Sequence, residues 1–234
     1  MPVRLDGTTS DFIELSSTGL PSSTSYTVIF WMQVVNANAG TDRSILTYIN
    51  SGLEHRIWRP TSNNDGVAVD GVSAGNLSAN EDQSSWYMWA ITSSGTAAGN
   101  GNAYSWKVGD ADGTYGTASF TPSSFTPASA YIGGTFYSTG RDARFCFVKM
   151  WDVALSLAEL QSERTQGKIV RTTNVNRYHR LTNAAYTTDE SGNSRTVTSS
   201  GAVTEGTEPV QWEPAAAPPQ FFQYAWPHQL HARR

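Results

Sequence analysis

Cysteine occurs once in the 234 residues, at Cys146, so the chain has no internal disulfide. Charge is also scarce: Asp, Glu, Lys and Arg together make 15%, against roughly 25% in an average domain. The formal net charge of −4 leaves no broad basic field, which excludes nucleic-acid binding by phosphate neutralisation. Lysine is nearly missing, with three residues against thirteen arginines, and arginine suits planar contacts with carboxylates and aromatic faces. No apolar run approaches 18 residues, so no membrane-spanning helix is expected. The opening MPVRLDGTTSDF has no apolar stretch of the kind an export signal needs, so no signal peptide is expected.

What is abundant is punctuation. Twenty Gly, ten Pro and many Ser, Thr and Asn separate short apolar runs, the pattern of many strands joined by turns. Tyr26 to Val34 alternates: Tyr26, Val28, Phe30, Met32 and Val34 make one face, and Thr27, Ile29, Trp31 and Gln33 the other. Two short strands are expected around Leu5 and Ile13, and another over Ile45 to Ile49. Trp86 to Thr92 reads as a strand with Tyr87, Trp89 and Ile91 toward the core. Gly99-Asn100-Gly101-Asn102 then turns the chain into a hairpin partner over Ala103 to Val108. In Phe145 to Trp151 only Lys149 is polar, so both faces of that strand should be covered, and Cys146 is expected to be a buried, inert thiol. Ser156 and Glu159 form a capping box for one short helix, with Leu157 and Leu160 on its apolar face and Gly167 as a stop. A lone helix after so many strands is a lid on a sandwich.

The order of these pieces resembles a known family. Tyr131-Ile-Gly-Gly134, then Val148-Lys149-Met150-Trp151-Asp152 and Ala154-Leu155-Ser156, is similar to the closing segment of laminin-G-like domains of the concanavalin A-like superfamily. Leu5-Asp6-Gly7, Tyr26 to Val34 and Trp86 to Thr92 resemble that family's opening and central strands, and Asp189 to Asn193 resembles a turn found beside many of its members. The resemblance implies one antiparallel β-sandwich, a concanavalin A-like jelly roll, over residues 1–208, with 175–204 supplying extra strands. Residues 209–234 form a separate arm: Pro209, Pro214, Pro218, Pro219 and Pro227 exclude a helix or central strand, and the aromatics between them call for a docking surface. Most relatives of this fold are extracellular, so the lack of a leader implies export by another system or assembly into a particle.

Catalytic and metal motifs are weak. The glucanase members of the superfamily carry E-x-D-x-x-E on one strand, with three carboxylates on one face; no such pattern occurs here. Gly71-Val-Ser-Ala-Gly75 matches the nucleophile elbow G-x-S-x-G, but the following residues have no helical apolar stripe, and chance in a Gly/Ser-rich chain explains it. Where calcium-binding laminin-G-like relatives carry acidic residues, this chain has Cys146 and Phe147, poor ligands for a hard cation. Asp110-Ala-Asp112-Gly113 reads as a tight turn, and the His228/His231 pair is an isolated spacing; neither metal nor cofactor is expected.

Two non-catalytic readings follow. In the first, the chain is a structural or adhesion protein of a larger assembly, a virion surface or decoration protein. Phe221, Phe222, Tyr224 and Trp226 then anchor it to capsid, tail or sister copies, without membrane insertion. In the second it is a lectin-like carbohydrate-binding module. Trp58, Trp106, Tyr115 and Tyr137, in or near loops and strand edges, would stack on sugars while Asp110 and Asp112 fix hydroxyls of a cell-surface glycan.

Overall fold

The computed structural model describes residues 3–6, 12–20, 24–35, 43–50, 53–59, 65–69, 72–77, 85–107, 116–122, 128–133, 142–164, 168–181, 187–200 and 204–205; between 43 and 77 the description is of the backbone alone. In chain order the strands are β1 Val3–Asp6, β2 Phe12–Leu15, β3 Ser25–Val34, β4 Arg43–Asn50, β5 Leu53–Arg59, β6 Asp65–Val69, β7 Val72–Leu77 and β8 Trp86–Ser94. β9 Gly101–Lys107, β10 Gly116–Phe120, β11 Ser129–Gly133 and β12 Asp142–Trp151 follow, then helix α1 Leu157–Arg164 and the strands β13 Val175–Arg180, β14 Val197–Ser200 and β15 Thr204–Glu205.

These strands make two antiparallel sheets, an all-β sandwich with one short helix, as expected. One sheet runs β10-β9-β8-β3-β12-β1-β15, with β13 also pairing β12; the other runs β14-β2-β11-β4-β5-β6-β7. β1 and β2, the two short strands expected around Leu5 and Ile13, belong to different sheets. Extra strands were expected over 175–204, and among the described residues β13, β14 and β15, which begins at Thr204, join the two sheets.

Period-two alternation sets the core. Tyr26, Val28, Phe30, Met32 and Val34 join Tyr87, Trp89, Ile91, Phe145, Val148 and Met150 between the sheets, where they meet Ile13, Leu15 and Ile132. Ile29 and Trp31, on the opposite face of β3, enter a second apolar cluster with Trp86, Met88, Trp106, Trp151, Leu155, Leu160 and Tyr178. Around β3, β8 and β12 the eight-stranded sheet is therefore buried on both sides. This is why Phe145 to Trp151 is almost wholly apolar. A register shift between Phe145 and Val148 lets both flanking residues face inward, while Cys146 and Phe147 belong to the outer cluster. At that point β12 changes neighbour on its other edge, from β1 to β13.

The capping box forms: the Ser156 amide donates to Glu159 Oε2 at 2.8 Å, and the Glu159 amide donates to Ser156 Oγ at 3.3 Å. The buried face of α1 differs from the expected one. Leu160 is buried, Leu157 is 45% exposed, and the second buried residue is Glu163. The reason lies beneath the helix. Lys149 Nζ donates to Glu163 Oε2 and to the Lys168 carbonyl, each at 2.7 Å, and Glu163 Oε1 accepts from the amides of Val170 and Arg171.

Candidate functional site

The outer face of the eight-stranded sheet divides in two. On the β12–β13 side it is tied to α1 and residues 168–171 through Lys149–Glu163 and through Trp151 Nε1, which donates to the Arg171 carbonyl at 2.9 Å. Toward β8, β9 and β10 it carries a different set of side chains. Cross-strand register aligns Thr117, Tyr104, Ala90, Ile29 and Lys149 in one row, and Trp106, Met88 and Trp31 in the next. The row after that is Trp86, Gln33, Arg144 and Arg4.

Tyr104 is half-buried, whereas Trp31, Trp86 and Trp106 in the same rows are buried. Its ring lies 5.2 Å from that of Trp106 at 15° and packs on the outer cluster. Stacking of this kind holds a ring flat and is worth about 0.5–1.5 kcal/mol beyond burial. Burial raises the Tyr104 hydroxyl above its usual value, so at neutral pH it is protonated and able to donate. Beside it, Ser119 Oγ donates to Asn102 Oδ1 at 3.0 Å, and Thr117 and Ser119 are exposed. The register here is fixed from the inner side. Phe120 lies against Gly101, where a Cβ would come within 2.5 Å of the Phe120 ring. Only glycine lets β10 close onto β9 there.

Trp106 requires a correction. Expected near a strand edge as an exposed stacking residue, it lies inside β9 with no solvent exposure and forms part of the outer apolar cluster. Its role on this face is to back Tyr104. Trp31, Trp86, Trp89 and Trp151 are buried as well. Trp58 belongs to β5, but its side chain lies outside the described residues, as do Asp110, Asp112, Tyr115 and Tyr137 entirely. The same holds for Phe221, Phe222, Tyr224 and Trp226 of the C-terminal arm. Tyr104 was not singled out by sequence. The signal available was its place two residues before Trp106 on one face of a hairpin strand.

Several carboxylates among the described side chains hold the fold. Asp189 accepts from the Tyr178 and Ser191 amides through Oδ1 and from the Arg195 amide through Oδ2. Burial pushes its carboxyl up, and these donors more than offset that, leaving it below the ordinary value. Asp152 accepts from Asn176 Nδ2 through both oxygens, and Asp142 pairs with Arg4. Arg177, wholly buried, ties β13 to the carbonyls of Ser16, Thr18 and Thr196. Among the described residues no group of three or more His, Cys, Asp or Glu is placed to hold a metal, and no helix is long and apolar enough to cross a membrane. Ser73, of the G-x-S-x-G match, lies in β7 opposite Ala68, in a strand where the elbow needs a strand-to-helix turn.

No protein-family model matches the chain, and no curated protein matches it. Solved structures do. A provisionally named carbohydrate-binding protein from Bacteroides ovatus superposes with a TM-score of 0.59 at 14% identity over 87% of this chain. The chain spans 61% of that protein's length. Tailspike protein 2 of the Escherichia coli O157:H7 bacteriophage CAB120 gives a TM-score of 0.52 at 14% identity, over 77% of this chain and 28% of the tailspike. A Trypanosoma rangeli sialidase gives 0.51 at 9% identity, over 68% and 26%. At these identities the likeness is one of fold.

Proposed function

We propose that the chain is a non-catalytic carbohydrate-binding module whose ligand lies at the β9–β10 edge of the eight-stranded sheet's outer face, centred on Tyr104. The observation that carries this reading is the half-buried Tyr104 ring stacked on buried Trp106, flanked by Asn102, Thr117 and Ser119. A rigid aromatic face for C–H stacking, next to amide and hydroxyl groups that orient sugar hydroxyls, is what a glycan site needs. The fold supports the reading, because the Bacteroides ovatus protein that shares it is named for carbohydrate binding. Engagement of Asp142, Asp152, Glu163 and Asp189 in structural bonds favours binding over hydrolysis.

A glycan array probed with the wild-type chain and with Tyr104→Ala tests it. Retention of a glycan by the wild type, reduced about tenfold or more in Tyr104→Ala, is the expected result. Equal retention by both proteins would remove Tyr104 from the site, and no retention by either would remove the glycan reading.

A second reading places the same module on a larger assembly. Its support is the tailspike, in which the matched fold occupies 28% of the chain. Here the module would be displayed on a virion or extracellular surface and held by the segment after Glu208, with capsid, tail or sister copies as partners. Deleting that segment should release the protein from its particle during density-gradient sedimentation. Continued co-sedimentation would discard the anchor.

A further inference from the structure

Asn102, Tyr104 and Trp106 follow one another at two-residue steps on the outer face of β9. Tyr104 stacks on Trp106 at 15°, so its ring stands across the strand. One face of the ring meets the indole, and the other looks back along β9 toward Asn102. The ground before that free face is polar. Thr27, Thr92, Asn102 and Ser119 form a cross-strand row beside the row that holds Tyr104. Ser119 Oγ donates to Asn102 Oδ1 at 3.0 Å, which fixes the amide and leaves Asn102 Nδ2 without an acceptor among the described residues.

The polar row is closed at one end and open at the other. Over β3 it is covered: Thr27 Oγ1 donates to the Val153 carbonyl and accepts from the Leu155 amide, each at 2.8 Å. The Ala154 amide donates to Ser25 Oγ at 3.2 Å. Residues 153–155 therefore lie on the outer face as a wall, two strand spacings or about 10 Å from β9. At the other end β10 is the last strand of its sheet, and Ser119 on it is exposed.

A sugar ring stacked on the free face of Tyr104 lies parallel to it and so stands on edge over Asn102. Its long axis then points across the strands or along the normal to the sheet. In the first case one end of the sugar faces the 153–155 wall, and in the second one end faces the sheet. Either way a glycan leaves in one direction only. Resting on the glycan reading above, we propose that this slot takes the terminal residue of a glycan and excludes the interior of a chain. One hydroxyl of the seated edge accepts from Asn102 Nδ2, and its neighbour donates to Ser119 Oγ, whose own proton is held by Asn102 Oδ1.

The test is isothermal titration of the full chain as wild type, Asn102→Ala and Ser119→Ala. The ligands are methyl glycosides of glucose, galactose, mannose, fucose, N-acetylglucosamine and N-acetylneuraminic acid, with the homo-oligosaccharides of two to six residues of each. The expected result is that at least one methyl glycoside binds the wild type within about threefold of its hexasaccharide. Asn102→Ala and Ser119→Ala should each weaken monosaccharide and hexasaccharide alike, by about tenfold. A melting temperature equal to that of the wild type would report that the variants are folded.

Wild-type affinity that climbs more than about tenfold from monosaccharide to hexasaccharide assigns the site to chain interiors. That result overturns the proposal and leaves the glycan reading standing. Equal binding by wild type and Asn102→Ala also overturns it, while loss in Tyr104→Ala would keep the glycan reading. Binding of no glycan by the wild type overturns both.

Discussion

Lys149 Nζ lies 2.7 Å from Glu163 Oε2, and neither side chain reaches solvent. The ammonium also sits 4.9 Å over the Trp31 ring and donates to the Lys168 carbonyl. Burial pushes the Lys149 ammonium below its usual value, and Glu163 acts against that. The pair joins β12 to α1 across the outer sheet face, where an unpaired charge would have no water to turn to.

Lys149→Met should therefore destabilise the protein by about 3–5 kcal/mol, because it leaves the Glu163 carboxylate buried without its cation. The double variant Lys149→Met/Glu163→Gln should recover part of that loss. Urea unfolding of the three proteins measures both. A single variant as stable as the wild type would show that the pair does not hold α1 down.

Asp189 gives a pH dependence with a definite sign. Its folded-state value is depressed below the ordinary one, so its contribution is fully present above the unfolded value of about 3.9 and is lost as pH falls through the folded value. The melting temperature of the wild type should fall on acidification below about pH 4–5 more steeply than that of Asp189→Asn. Parallel curves would mean that Asp189 does not carry the coupling.

At Gly101 a methyl group has nowhere to go, since an ideal Cβ falls 2.5 Å from the Phe120 ring. Gly101→Ala should cost about 1–3 kcal/mol by overpacking, and shrinking the ring in Gly101→Ala/Phe120→Leu should restore part of it. Thermal unfolding checks this. Because β9 carries Tyr104, the single variant should also weaken glycan retention.

Tyr104→Phe separates ring from hydroxyl. If stacking on Trp106 presents the ring face, Phe should keep most of the retention that Ala loses, with a deficit of about tenfold or less for the missing hydrogen bond. Affinity electrophoresis in the retained polysaccharide compares the three. Loss in Phe equal to loss in Ala would move the interaction from the face to the hydroxyl.

Much of the sandwich was legible because local pattern and burial agree. Alternation from Tyr26 to Val34 assigned both faces of β3 correctly, and the Ser156/Glu159 capping box located the start of α1. The errors share one cause: polarity was read as exposure, and exposure as a property of a residue alone. Leu157 was placed inside and Glu163 was not noticed, because the partner that draws Glu163 inward, Lys149, sits fourteen residues away on a strand. Trp106 was placed outside although the outer face of its sheet is itself covered, so facing away from the sandwich core did not mean facing water. Arg4 and Asp142 are 138 positions apart, and no spacing rule reaches that far. The partition of β1 and β2 between sheets was likewise set by pairing with β12 and β11.

The most direct test of the glycan-binding face is an amide NMR titration with the shortest oligosaccharide that the array retains. The account predicts shifts concentrated on Asn102, Tyr104, Thr117 and Ser119. Shifts confined to the seven-stranded sheet, with β9 and β10 silent, would contradict it.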